Sequence, residues 1–556
     1  MNGLLMVSIS AVILIIAYIV YGRYLAKKWG IDDNKKTPAH ELNDGVDYVP
    51  APASVVFGHE FASVAGAGPI TGPIIAAMFG WLPVLLWIII GGIFFGAVHD
   101  FAALYASVKN QGKTIGYVVE LYIGKKGKIL FLSFVWLLTL LAVAAFLDIA
   151  AGTFMGINPA TGAKIAANAS VATTSILFII AAIILGFVMR KFKMGGFSGG
   201  ALAIIFLIIC IALGLHFPIF ATKTFWLLII TAYILFASIV PVWALLQPRD
   251  YLNSFLLVFL IIASFIGIFI SAPVMQLPSF VGFTVNGQYL FPMLFVIVAC
   301  GAISGIHSII ASGTTSKQID KESHILPVSF GTMLLESLLA VIALVAVGSL
   351  AIGGNMPQGT PPVIFATAVS KFLSVLGLPL QISYTIIILA VSAFVLTSLD
   401  TAARVGRLAF QELFTGENQN DANIHPIAKF LSNKYVATVI TIVLCYILAI
   451  AGYQKIWGLF GAANQLLAAL SLVACAVFLK KTNRQGVALY IPMIIMLIVT
   501  FTALFFIIKD KWGKLFGDAQ FMFASDGLQL ILGVLLLVLG ILVAKLGISK
   551  LREKVS

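Results

Sequence analysis

The sequence predicts an all-α integral membrane protein with about fifteen transmembrane helices, on three observations. Of 556 residues, 61% are apolar and 10% charged, against about 25% charged in an average soluble domain. The apolar residues fall into blocks of about 18–25, the length that crosses a hydrocarbon core. Lys and Arg sit just beyond the block ends, 27 of the 34 on one side of the layout and 7 on the other. That asymmetry is what the positive-inside rule requires.

The predicted spans are 3–22, 57–79, 83–107, 129–152, 171–189, 199–217, 225–246, 254–272, 291–313, 327–351, 382–404, 435–452, 456–479, 488–508 and 527–547. The charge split places the N-terminus outside and the C-terminus inside. Residues 4–20 follow no basic residue and precede no small-x-small cleavage site, and Arg23, Lys27 and Lys28 come directly after. The first block therefore reads as a retained helix. Segment 361–376 carries Pro361, Pro362 and Lys371 and reads as a half-helix or interfacial helix. The polar loop 32–52 reads as a solvated connector in preference to a gate. With no polar stretch long enough for a soluble domain, residues 1–556 form one membrane domain.

The net charge of +13 is spread over span ends and not gathered on one face, which excludes a nucleic-acid partner. Cys210, Cys300, Cys445 and Cys475 each lie inside an apolar block with no CxxC or Cys/His spacing. They read as buried thiols, with no metal expected beyond a coupling sodium ion.

Two blocks are interrupted. Phe57–Pro73, FGHEFASVAGAGPITGP, holds Gly58, Gly66, Gly68, Pro69, Gly72 and Pro73 beside His59 and Glu60. Proline deletes an intrahelical hydrogen bond and glycine eases unwinding. Irregular backbone at membrane depth needs protein or a water-filled cavity to satisfy it, and an intramembrane ionisable group marks a functional site by default. The second block, CGAISGIHSIIASGTTSKQ at 300–318, carries Ser304, His307 and Ser308. The breaks lie in spans two and nine. That odd offset sends them through the membrane in opposite directions, as an inverted repeat demands, and paired interruptions point to a transporter site.

A third polar group, Thr397, Ser398, Asp400 and Arg404, closes the span 382–404. Asp400 and Arg404 are four apart and read as an ion pair on one helix face. Thr397 and Ser398 offer hydroxyl oxygens to a cation. Weaker candidates are His99 and Asp100, Asp148 near an outer mouth, and Glu336, which needs a partner or a proton. Asn464, beside Gln465, suits either solute contact or helix joining. Among enzymes, HExxH fails because Ser63 stands at the second histidine position, and no phosphate loop or GxSxG elbow is present.

These blocks resemble the carbon starvation protein A (CstA) family. The resemblance rests on DGVDYVP at 44–50, FGHEFASVAGAGPITGP, CGAISGIHS, TSLDTAAR at 397–404 and GAANQLLAAL at 461–470, and it runs over nearly the whole chain. Glu60 stands where that pattern expects a second histidine. The resemblance implies a bacterial cytoplasmic-membrane transporter linked to peptide uptake in carbon starvation, with pyruvate carriers among its relatives. It also implies an inverted-repeat core like that of the amino acid–polyamine–cation (LeuT-like) transporters. On that layout 3–22 is a peripheral first helix, 57–217 the first repeat and 225–272 two intervening helices. The second repeat is then 291–479, with C-terminal helices at 488–547.

The expected function is secondary active import of a peptide or small carboxylate-bearing solute by alternating access. Half-helix N-termini carry about half a positive charge and suit a carboxylate. His59, Glu60, Gly66, Gly68, Ser304, His307, Ser308 and Asn464 are the candidates for substrate contact or coupling. Thr397 and Ser398 are the candidates for cation binding, and the coupling ion is H+ or Na+. No other cofactor is expected, the oligomeric state stays open, and a pyruvate or amino-acid symporter is the alternative. A channel, a nutrient sensor and a membrane-embedded hydrolase built on His59, Glu60 and His307 are the readings of another class.

Overall fold

The computed structural model describes residues 2–45, 47–159, 161–192, 196–240, 245–415, 425–484, 486–517 and 522–553. Each of the fifteen predicted spans coincides with helix. Twelve are helical segments long and apolar enough to cross a membrane, one of them, Leu290–Lys317, interrupted near its middle. Span two is a pair, Ala53–Val64 and Gly68–Phe79, bent by 46° at its break. Spans seven and twelve are the shorter apolar helices Lys223–Ile239 and Lys434–Ala449. The predicted end of span seven at 246 is too late: the helix stops at Ile239, 241–244 lie outside the described residues, and the next helix already begins at Leu246. That early start carries Arg249, Asp250 and Asn253 into the bundle.

Side-chain size decides which helices are central. Tyr453–Lys481, built around Gly461, Ala462, Ala463, Asn464 and Gln465, is buried along its whole apolar length. Small residues let neighbouring backbones approach, and this is how membrane helices gain packing without a hydrophobic drive. Ser198–His216, rich in Ile and Leu on all sides, keeps most of its surface outward, where lipid substitutes for protein. The first helix, Gly3–Ala17, buries one face through Met6, Val7, Ser10 and Leu14, turns Leu5, Ile9, Val12 and Ile16 outward, and leans on span ten through Gly3 against Val345.

The loops expected on one face do meet there. Lys109 pairs with Glu322, Arg484 bonds Tyr105, the backbone amide of Asp32 donates to Glu322 (3.0 Å), and Lys480 donates to Leu551 O (2.6 Å). The opposite face ties Gly3 N to Pro273 O (2.7 Å), Gln276 N to Gly348 O (2.8 Å) and Gly156 N to Ala221 O (3.1 Å). The first of these is called the inner face below, because it carries the basic excess. On it, loop 32–52 is more than a connector. Its Thr37, His40, Val49 and Ala51 bond segment 317–320, and Tyr48 OH donates to Gln111 O.

The two broken helices run antiparallel. At the inner face Val49 N and Ala51 N donate to Lys317 O and Gln318 O (3.2 and 3.1 Å), joining the start of one to the end of the other. At the outer face Trp81 N and Leu82 N donate to Pro278 O and Ser279 O (3.2 and 3.0 Å), and Val281 N to Phe79 O (3.1 Å). Segment 361–376 is the helix Pro361–Ser374, largely buried at the outer side.

Candidate transport site at the crossed helix breaks

The breaks lie against one another. A methyl on Gly68 would come within 2.6 Å of the Cys300 side chain, and one on Gly72 within 2.3 Å of Val298 O. One on Gly66 would lie 2.1 Å from Ser398 Oγ, so glycine is what lets the first break touch both the second break and span eleven. The second helix runs Leu290–Val298, then a tight turn at Ala299–Gly301, then Gly305–Gly313.

Unwinding frees backbone groups, and each must find a partner in a dry interior. Phe295 O accepts from Gln465 Nε2 (2.6 Å) and Trp87 Nε1 (3.2 Å), and Ile297 O accepts from Trp457 Nε1 (3.1 Å). The amide of Ile306 donates to Asn464 Oδ1 (3.1 Å), while Asn464 Nδ2 donates to Ser304 Oγ (3.1 Å). Asn464 therefore serves as a side-chain cap for the second half-helix. Gly305 allows this, since a methyl there would sit 2.3 Å from Asn464 O.

Around the crossing lies a buried group of ionisable side chains. Asp100 accepts from His99 Nδ1 (2.8 Å) and from His307 Nδ1 (2.9 Å). The other nitrogen of His307, Nε2, faces Glu336 Oε2 at 3.4 Å. Glu60 accepts a hydrogen bond from Thr315, just beyond the second broken helix. Glu60, Asp100, His307 and Glu336 are each 2% exposed or less, so charges here interact in low dielectric, where unpaired ones are costly. Span two, span three, the second broken helix and span ten each contribute to this group.

Other predicted residues go elsewhere. His59, next to Glu60, turns instead to a cavity of about 290 Å³ at the inner side, where Arg404, Asp250 and Lys317 also lie. Ser308 donates to Gly305 O (2.7 Å) and meets Ser471 Oγ (2.9 Å). Asp148 holds Lys223 (2.7 Å) and the amide of Tyr453 (3.0 Å) at the outer face, anchoring the start of span thirteen. Thr397 accepts from Asn253 Nδ2 (2.6 Å) and donates to Ala393 O (3.0 Å), so its hydroxyl is occupied between helices. Ser398 does reach the first break.

The expected pair Asp400–Arg404 does not form. Asp400 binds Arg249 and the hydroxyl of Tyr233 (2.6 Å), both from the intervening helices. Arg404 donates to Ala237 O and Val240 O (2.8 and 2.6 Å), satisfying the open carbonyl end of span seven. Residues three and four apart share a helix face, but here tertiary partners take both side chains. A lone intramembrane Asp400 called for a cationic partner, and Arg249 was hidden by its assignment to a loop. Cys300 was passed over because its neighbours His307 and Glu336 come from other turns and helices, not from a local spacing.

A central cavity of about 30 Å³ sits at the breaks, lined by Gly66, Gly68, Cys300, Ser304, His307 and Ser398 among others. It has room for a water or two. Ser63, Ile309, Ile310, Thr401 and Val405 wall both this cavity and the inner one. An outer cavity of about 260 Å³, by Ile74, Met293 and Trp457, shares no wall residue with the centre.

Two antiparallel broken helices, crossed at their breaks around a small cavity and buried ionisable groups, have the makings of a membrane transport protein. The model of the family "Carbon starvation protein CstA" matches residues 2–358 and 352–503, and the chain belongs to that family. It is 31% identical to the peptide transporter CstA of Bacillus subtilis, with 86% of each chain covered. To the peptide transporter CstA of Helicobacter pylori (strain ATCC 700392 / 26695) it is 32% identical over 90% of this chain and 81% of the other. To the pyruvate/proton symporter BtsT of Escherichia coli it is 28% identical over the same shares. Among solved structures it is similar to a manganese transporter of Eremococcus coleocola (TM-score 0.44, 13% identity, covering 92% of this chain and 99% of that one). It is also similar to MhsT in complex with L-phenylalanine (TM-score 0.45, 14% identity, 88% and 99%).

Proposed function

We propose that the chain is a secondary active importer of peptides or related small carboxylate-bearing solutes, coupled to protons, with its N-terminus outside and C-terminus inside. The observation that carries this is the small cavity at the crossed breaks, which shares wall residues with the inner cavity and none with the outer one. The N-terminal ends of Gly68–Ala76 and Gly305–Gly313 meet there, and such ends favour a carboxylate. The relatives named peptide transporters support a peptide; the relative named a pyruvate/proton symporter supports a smaller acid as the second reading.

The proton is preferred over sodium because the Thr397 hydroxyl is spent on Asn253 and Ala393, leaving Ser398 as the one hydroxyl of that pair near the break. Glu60 on the first broken helix is the proposed carrier of the coupled proton, with Thr315 bonded to it and Asp100 and His307 the ionisable groups nearby. His307 is the proposed solute contact, since it lines the central cavity.

The test is counterflow into proteoliposomes with di- and tripeptides, amino acids and pyruvate, together with proton flux. Saturable exchange of one class, with co-movement of protons lost in Glu60→Gln, is expected. The assignment fails if Glu60→Gln and His307→Ala both leave rate and coupling unchanged. Non-saturating flux indifferent to ion gradients would instead make the protein a channel.

A further inference from the structure

We propose that Cys300, His307 and Glu336 form a binding site for a divalent d-block cation of the zinc or cobalt type. One ligand atom from each, a thiol sulfur, an imidazole nitrogen and a carboxylate oxygen, lies within 4.8 Å of the other two, and all three residues are buried. Cys300 belongs to the tight turn of the second break and His307 to the first turn after it, so the break itself brings them side by side. Glu336 reaches in from span ten.

Three further observations point to a ligand. First, Glu336 Oε1 and Oε2 and His307 Nε2 are all buried without a hydrogen bond, Nε2 and Oε2 facing each other at 3.4 Å, and such groups ordinarily have one. Second, the remaining nitrogen of His307 is bonded to Asp100 (2.9 Å). A metal-binding histidine characteristically gives its other N–H to a carboxylate, which fixes the tautomer and turns the lone pair toward the metal. Third, Cys300 Sγ receives a hydrogen bond from Asn464 Nδ2 (3.5 Å), a supporting contact of the kind that orients a ligand.

The donor set selects the ion. Calcium and magnesium require shells of oxygen, whereas a thiolate, an imidazole and a carboxylate suit zinc and its neighbours. A dication with one thiolate and one carboxylate is electrically neutral, which offsets the cost of two buried anions. Three protein ligands leave one tetrahedral position open. Cys300 and His307 line the central cavity, so an ion held by the three residues would border it.

The experiment uses the full chain, purified without metal in detergent and titrated with Co2+. One saturable equivalent is expected, with a thiolate-to-cobalt charge-transfer band in the near ultraviolet and tetrahedral bands in the visible. Cys300→Ser should abolish the charge-transfer band, and Asp100→Asn should weaken binding roughly 10–100-fold while keeping it. Cys475→Ala, a distant buried cysteine, should change nothing. X-ray absorption of the zinc-loaded wild type needs no variant and should show a single sulfur at about 2.3 Å among N/O ligands. Absence of saturable binding, a charge-transfer band that survives Cys300→Ser, or a sulfur-free zinc shell would each overturn the proposal.

Discussion

Truncating Asp400 to leucine should be among the most destabilising single changes in the protein, and adding Arg249→Met should rescue it. Arg249 is 2% exposed and Asp400 1%. In the wild type the guanidinium meets Asp400, the Tyr233 hydroxyl (2.6 Å) and, more distantly, Asp250 (3.5 Å). Removing the carboxylate strands a cation in low dielectric, which typically costs about 3–5 kcal/mol. At tenfold per 1.4 kcal/mol, that shifts an unfolding equilibrium by roughly two to three and a half orders of magnitude. Replacing both partners by apolar residues removes the stranded charge as well, and such swaps are commonly close to neutral. The assay is reversible unfolding in mixed detergent–SDS micelles for wild type, both single variants and the double variant. The coupling between positions 249 and 400 should account for most of the single-variant loss. A parallel cycle with Arg404 should give a much smaller coupling, since Arg404 is engaged by carbonyls. The reasoning is refuted if 400 couples to 404 more strongly than to 249, or if the double variant is as unstable as the sum of the singles.

Three other outcomes follow from the same geometry. Gly72→Ala puts a methyl 2.3 Å from Val298 O; forcing the crossing apart should cost about 1–3 kcal/mol, read as a lowered melting temperature together with reduced uptake. Asn464→Ala leaves the Ile306 amide without its acceptor, at about 1–3 kcal/mol for a buried donor, and Asn464→Asp, which keeps an oxygen there, should recover part of the loss. At the inner face, burial of Asp33 works against its charge, but bonds from the Ser323 amide (2.8 Å) and side chain, with Lys321 nearby, outweigh it and hold the carboxyl below its usual range. A depressed folded value stabilises above the unfolded one and is lost on acidification. The protection of amides around Ser323, taken relative to their intrinsic exchange rate at each pH, should therefore fall as pH drops through the Asp33 range, and Asp33→Asn should remove that dependence.

The spans were legible because the bilayer sets one length and forbids charge along it. The breaks were legible because Gly66, Gly68 and Pro69 contradict a continuous helix within a block that is otherwise apolar. What the sequence hid was partner choice. Thr397 and Ser398 are adjacent and chemically alike, yet one faces Asn253 and the other the first break, a difference set by helix rotation. Asp400 had a plausible cation four residues on, and the true partner lay 151 positions away. Asn464 looked like a solute contact or a helix joiner, and its role as a cap depends on Gly305 admitting the backbone beside it. Glu60, His307 and Glu336 were each visible as anomalies, but their assembly, with Cys300 among them, exists only once three helices are packed.

The abutting ends of the two broken helices bear on how the molecule moves. The segments flanking the two helices are tied to one another at both faces, by two backbone hydrogen bonds on the inner side and three on the outer. Such bonds contribute about 0.5–1.5 kcal/mol each once exchange with water is counted. Unfastening either face therefore costs only a few kcal/mol, while the ties at the other face are left in place. A carrier that must spend comparable time open to each side needs two latches of similar, modest strength, and an antiparallel pair supplies one at each end.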